Sequence, residues 1–178
     1  MPNFVRLIIG AALLGAMVTL FVYGHWAWAI LVLLIALLVF VTFFFHENML
    51  IAQYYLRKEK MEKAEQWLLK ITNYEKQLIR VQHGYYFLLL GLIESRTAPL
   101  KSEKYFKKAL TLGVHMDHNI ALANLSLAGV MMAKRNKREA ERYLQLAKKA
   151  DKKKLMADQI KMMQEQMVML DRSQVRYR

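Results

Sequence analysis

The side chains best suited to chemistry are the two histidines of the segment His115-Met-Asp-His118. Two imidazoles three positions apart are able to share a metal ion, and Asp117 between them is the one further ligand nearby. The chain has no cysteine and no His-Glu-x-x-His pattern, so the ligand set is incomplete. We therefore interpret this segment as a solvated loop after Gly113, and we predict no metal site.

Other catalytic patterns are also missing from the sequence. It contains no Gly-rich phosphate loop and no Gly-x-Ser-x-Gly motif, and its few serines show no local pairing with His and Asp. His46 and His83 stand alone on helical patterns, where a histidine is more often a core or interface residue than a catalyst. The sequence thus predicts a protein that is not an enzyme and that needs no cofactor.

The positive charge is concentrated after residue 50. The chain has 27 Lys and Arg against 14 Asp and Glu, a net charge of +13, and its first 50 residues hold only Arg6 and Glu47. Residues 51–178 therefore hold 26 basic and 13 acidic side chains. Runs such as Lys148-Lys149 and Lys152-Lys153-Lys154 are typical of solvated helix faces. They would also bind anionic lipid, which contributes about 1 kcal/mol per Lys or Arg near the membrane surface, or nucleic acid.

The first structural element that the sequence predicts is a long apolar run near the N-terminus. No charged side chain lies between Leu7 and Phe45, and the run is broken only at Tyr23-Gly24-His25. At about 1.5 Å per residue, its two parts, 7–23 and 26–45, each span roughly 25–30 Å, close to the thickness of the bilayer hydrocarbon. The sequence therefore predicts a transmembrane helical hairpin over residues 1–45.

Small residues one helical turn apart mark the first span, in the pairs Ala11/Gly15 and Ala12/Ala16. Such pairs let another helix approach closely. Two interpretations remain open. These residues pack the two helices of the hairpin against each other, or they form the contact surface of a homo-oligomer through the first span.

After residue 45 the sequence is helical in pattern and repeats itself. Three segments, 61–71, 101–110 and 137–147, each contain a small residue followed four positions later by a large apolar one. A second helical pattern with its own small residue precedes each segment. The small residues of the three segments, at intervals of 38, are Ala64, Ser102 and Ala140, and those of the preceding patterns are Ala52, Gly91 and Ala128.

This arrangement resembles the tetratricopeptide repeat (TPR), in which two antiparallel helices cross at small residues. The resemblance covers residues 46–154 and implies three helix pairs stacked as an α-solenoid. The whole chain is thus predicted to be all-α. Whether the second span and the first repeat helix form one helix from Trp26 to about Lys58, or separate at Asn48, stays open.

The C-terminal segment, residues 155–178, has one apolar seam. Met156, Ile160, Met163, Met167 and Leu170 recur at spacings of four and three, as in an amphipathic helix. A solenoid needs such a helix to cover its last repeat, so we expect a cap. A methionine-rich seam also repacks readily on varied partners, which leaves a role in interaction or homo-oligomerisation open.

The TPR resemblance implies a groove lined by the first helix of each repeat. That lining is largely apolar, so it suits an apolar or amphipathic segment of a protein partner better than an acidic tail. The alternative is that the C-terminal helix already fills it. The implied groove residues are Met49, Gln53, Leu56 and Arg57, then Tyr85, Leu88, Leu92 and Arg96, then Leu122, Leu125, Gly129 and Met132.

These features together predict an integral membrane protein of a bacterial plasma membrane. Its function is expected to be that of a scaffold or adaptor that holds a protein or peptide partner in the TPR-like groove. The alternative is a basic peripheral module that contacts anionic lipid or tethers nucleic acid at the membrane. Both termini are expected in the cytoplasm, because Arg57, Lys58, Lys60 and Lys63 follow the second span, whereas the turn between the spans has no Lys or Arg.

This topology is testable on whole cells, since the chain has no cysteine of its own. A cysteine that replaces His25 should react with a membrane-impermeant thiol reagent, because the turn is predicted to lie outside. A cysteine that replaces Ser173 should not react until the cells are opened. Labelling of intact cells at Ser173 alone would contradict the predicted orientation.

Overall fold

A computed structural model describes the backbone of residues 3–44 and 46–176 and the side chains of residues 8–37 and 46–169. All regular structure in these residues is helical, which confirms the all-α prediction for them. The helices are α1 (Asn3–Val22), α2 (Trp26–Phe44), α3 (Glu47–Arg57), α4 (Met61–Leu69), α5 (Tyr74–Gln77), α6 (Arg80–Thr97), α7 (Pro99–Leu112), α8 (Asp117–Ala133), α9 (Lys137–Ala150) and α10 (Ala157–Arg176).

The chain divides into two compact units, Met1–Leu50 and Ile51–Arg178. In the first unit α1 and α2 pack against each other. Gly24 ends α1 with φ +75°, and the N–H groups of Gly24 and His25 donate to the carbonyls of Phe21 and Leu20. This is the Schellman bonding pattern, in which glycine adopts the left-handed conformation at no steric cost.

Many large apolar side chains of α1 and α2 are exposed, among them Leu14, Val18, Leu34 and Leu37. Within the part of the chain that the structure describes, no helix combines the length and the apolar character needed to cross a membrane. The predicted limits of the apolar run at Arg6 and Phe45 lie outside the described side chains.

Helix pairs organise the second unit. The two most extensive contacts are between α6 and α7 and between α8 and α9, and α7 also packs on α8. Helices α4 and α5 contact α6, and α10 contacts α8 and α9. The turns after α3 and α8 repeat each other, because Glu59 and Arg135 both have positive φ and lie 76 positions apart, twice the interval of 38.

The six small residues predicted at the helix crossings are all buried. Ala52, Ala64, Ser102, Ala128 and Ala140 have no exposed surface, and Gly91 is also buried. Gly91 of α6 faces the ring of Phe106 of α7 so closely that a Cβ there would lie 2.7 Å from Cε1. The two helices also approach closely at Gly84, where an added Cβ would overlap the carbonyl group of Gly113. Glycine is therefore required for α6 and α7 to come this close.

The connection between α2 and α3 settles one alternative from the sequence. Helix α2 ends at Phe44 and α3 begins at Glu47, so one continuous helix from Trp26 to Lys58 is excluded. The break precedes the expected cap at Asn48 by two residues. His46 caps α3: its carbonyl accepts the N–H of Met49, and its Nδ1 accepts the N–H of Asn48 at 3.3 Å.

Replacing Gly91 by alanine should destabilise the second unit by about 1–3 kcal/mol, because the added Cβ meets the fully buried ring of Phe106. Gly129→Ala is the matched control in α8. Its Cβ would lie 3.6 Å from Cε of Met163, an ordinary contact, so the change should be neutral or stabilise by about 0.5–1 kcal/mol. Thermal unfolding of the full-length protein measures both, and equal effects would contradict the proposed crossing.

Candidate partner-binding groove

The predicted groove residues lie on three helices, α3, α6 and α8, and differ widely in exposure. Met49, Leu88 and Leu125 are buried, and the two arginines, Arg57 and Arg96, are exposed. The partly exposed residues are Gln53, Leu56, Tyr85, Leu92, Leu122, Gly129 and Met132. A ligand therefore has access to these partly exposed side chains and to the two arginines.

Leu88, Leu125 and Met49 require a correction to the predicted lining. Leu88 has no exposed surface, and Leu125 and Met49 retain only 7% and 3%. Helical periodicity places residues 88 and 125 on the lining face, but α6 is packed by α4, α5, α7 and α8 and is buried on two sides, one of which holds Leu88. Leu88 and Leu125 therefore act as core residues of the second unit.

Two of the predicted groove residues, Arg57 and Tyr85, interact electrostatically. Burial raises the pKa of the Tyr85 phenol, and the positive charge of Arg57 acts in the opposite direction to a smaller extent. Helix α6 packs on α8, so the first helices of the second and third predicted repeats are neighbours.

The C-terminal helix α10 packs on α8 and α9. Met156, Ile160 and Met167 are buried, and Met163 lies over Gly129 of α8. The seam residue Leu170 lies outside the described side chains. The partly exposed groove residues outside this contact are Gln53, Leu56, Tyr85, Leu92, Leu122 and Met132.

An aromatic cluster beside α6 was not predicted from the sequence. Tyr74 on the short helix α5 packs edge-on against Phe87 and His83, at ring-centroid distances of 5.0 and 5.2 Å. Lys108 of α7 places its Nζ 4.2 Å from the centre of the Phe87 ring. These contacts hold α5 on α6 and α7. The usable signal was Asn73, whose side chain caps α5 by accepting the N–H of Lys76.

The segment from His115 to His118 is only partly a loop, which corrects its prediction. Asp117 begins α8 and His118 lies in its first turn, while His115 remains outside the helix. The Asp117 carboxylate is 3.1 Å from Nζ of Lys152. Among the described residues no group of three His, Cys, Asp or Glu side chains is arranged to hold a metal ion.

Comparisons of the chain with models of known protein families, with curated protein sequences and with solved structures found no match.

An ionic link positions α8 beside α7. The Glu103 carboxylate of α7 pairs with Lys107, one turn away at 2.6 Å, and with Lys134, which follows the last residue of α8. Its side chain is 17% exposed. Hydrogen bonds from Lys107 and Lys134 lower the pKa of Glu103 below its usual value. The link thus stabilises the position of α8 only while Glu103 is ionised.

Replacing Glu103 by glutamine should lower stability at pH 7 by about 0.5–1 kcal/mol, because Lys107 and Lys134 are about half exposed and solvent screens such ion pairs. Because folding lowers this pKa, the stabilisation is fully present above the unfolded value of about 4.3 and is lost as the pH falls through the folded value. The difference between the two proteins should therefore shrink below about pH 4.

Denaturant unfolding at a series of pH values measures this difference. Glu141→Gln is the matched control, since the bridge between Glu141 and Lys137 is long, at 3.7 Å, and about half exposed on both sides. An exposed pair of this kind contributes little. A difference between wild type and Glu103→Gln that stays constant with pH would contradict the assigned role of the Glu103 charge.

Proposed function

We propose that this protein is a membrane-anchored scaffold that binds a segment of a partner protein along the first helices of three TPR-like repeats. The observation that carries the proposal is the strip of partly exposed side chains on the neighbouring helices α6 and α8, to which α3 adds further partly exposed side chains, with an exposed arginine on α3 and another on α6. Large apolar anchors beside accessible charges are typical of surfaces that bind an amphipathic segment.

The anchor is proposed from the sequence of the first unit. Helices α1 and α2 contain 20 and 19 residues, and only Arg6 among them is charged. Their large apolar side chains face outwards in the described part, which suits a lipid surrounding better than water. The basic residues after α3 favour a cytoplasmic location for the second unit.

The repeat architecture is proposed from the second unit. Helices α3 and α4, α6 and α7, and α8 and α9 follow one another along the chain with small residues buried in each helix, and the last two pairs pack closely. The turns at Glu59 and Arg135 are similar and lie 76 positions apart, twice the interval of 38 between the predicted repeats. With α10 as a cap, these pairs fit a short α-solenoid.

The chemistry of the lining specifies the partner segment. Leu56, Tyr85, Leu92 and Met132 supply an apolar surface, so the segment should present large apolar side chains on one face. Arg57 and Arg96 are exposed beside it and would pair with acidic residues that flank the apolar face. A helical or extended segment with this pattern is the expected ligand.

Site-specific photocrosslinking in intact cells tests this proposal. A photoreactive phenylalanine analogue at Leu92 or Met132 should capture the same partner, and mass spectrometry of the product should place the crosslink in an amphipathic segment. The control position is Thr111, which is exposed on α7, outside the groove. Capture of that partner from Thr111 alone would contradict the groove.

Alanine substitution of the accessible anchors should weaken binding of the captured partner. Tyr85→Ala and Leu92→Ala should each cost about 1–3 kcal/mol, or roughly 5- to 150-fold in affinity, because truncated anchors leave apolar contacts unmade. Tyr105→Ala is the matched control, a partly exposed tyrosine on α7. Thermal unfolding of each variant separates lost binding from lost folding. An equal loss of affinity with Tyr105→Ala would contradict the groove.

A further inference from the structure

Two loops of the second unit meet at one edge. The first, residues 113–116, joins α7 to α8, and the second, residues 151–156, joins α9 to α10. The carboxylate of Asp117 and Nζ of Lys152 are 3.1 Å apart, which links the two loops. We call residues 113–118 and 148–156 the loop edge.

The second loop of the loop edge has a fixed conformation. Asp151 is 7% exposed, and its two carboxylate oxygens accept the N–H groups of Leu155 at 2.9 Å and Met156 at 2.8 Å. Lys154 adopts a positive φ of 54° inside this turn. Met156 is buried behind it. These hydrogen bonds close the turn, and residues 152–155 lie on its exposed side.

The residues presented at the loop edge are basic or apolar. Met116 and Leu155, at 67% and 64%, are among the most exposed large apolar side chains of the second unit. The surrounding lysines, all exposed, are Lys148, Lys149, Lys152, Lys153 and Lys154. Of the nearby carboxylates, Asp117 is paired with Lys152 and Asp151 with backbone N–H groups, and Asp158 follows in the first turn of α10.

We propose that the loop edge contacts the headgroups of anionic phospholipids, with Met116 and Leu155 inserted at the boundary between headgroups and acyl chains. A bilayer surface supplies phosphates for the lysines and an apolar layer for these two side chains within a few ångströms. Nucleic acid supplies only the phosphates, and the loop edge has no Phe, Tyr or Trp for stacking on bases.

Lipid contact of this kind is separate from partner binding in the groove. The loop edge contains none of the predicted groove residues, and it uses lysine where the groove uses arginine and apolar side chains. Failure of either proposal therefore leaves the other standing.

The test uses the full-length protein reconstituted into bilayers of phosphatidylcholine with or without phosphatidylglycerol. Since the chain has no cysteine, a single one in place of Met116 or Leu155 carries an environment-sensitive fluorophore. With phosphatidylglycerol its emission should shift to the blue and be quenched by spin-labelled lipids. A cysteine in place of Leu100, which is 51% exposed on α7, is the control and should not respond.

Charge removal tests the role of the lysines. Lys153→Gln with Lys154→Gln should weaken the contact by about 25-fold, roughly fivefold per lysine, as read from the phosphatidylglycerol content at half-maximal response. Lys101→Gln with Lys104→Gln removes the same charge from exposed positions on α7 and should have no effect.

Three results would overturn the proposal. The first is equal emission from the loop edge in both lipid compositions, and the second is equal weakening by the two double variants. The third is a response to an added DNA duplex without any response to phosphatidylglycerol.

Discussion

The second unit depends on how closely α6 and α7 approach each other. At Gly91 a hydrogen atom stands where any other residue would place a carbon 2.7 Å from the Phe106 ring, and at Gly84 the helix meets the backbone of Gly113. Neighbouring backbones pack this tightly only where one of them lacks a side chain. The two glycines are seven positions apart, two turns on one face of α6, so they fix both the separation and the rotation of this helix.

Fixing α6 in this way determines which side chains a ligand is able to reach. With one face against α7 and others against α4, α5 and α8, α6 keeps its partly exposed side chains on two strips between the buried sides. Tyr85 and Leu92 are seven positions apart and share one strip, whereas His83 and Leu90 share the other and Leu88 is in the core. The accessible part of the predicted groove is therefore smaller than the repeat pattern alone suggests.

Sequence periodicity correctly predicted that residues 47–150 are largely helical, because their small and large residues recur at helical intervals. It also predicted the break at Gly24, where a glycine takes the left-handed conformation that ends α1. It did not predict α5, because a four-residue helix has no period to detect. Nor did it predict the burial of Leu88, since one helix's periodicity does not reveal how many neighbours surround that helix.

Charge in the second unit is divided between internal links and surface. Glu103, Asp117 and Glu139 each bind a basic side chain, and Asp151 binds two backbone N–H groups. After residue 50 basic residues outnumber acidic ones by 26 to 13, so one-to-one pairing would leave half of the basic residues to solvent or to an external anion. Acidic side chains hold α7, α8 and the last loop in place, and the positive charge in excess of theirs remains on the second unit. Such a surface is expected to be attracted to any polyanion, but only where apolar side chains accompany the lysines does the attraction acquire a preference for lipid.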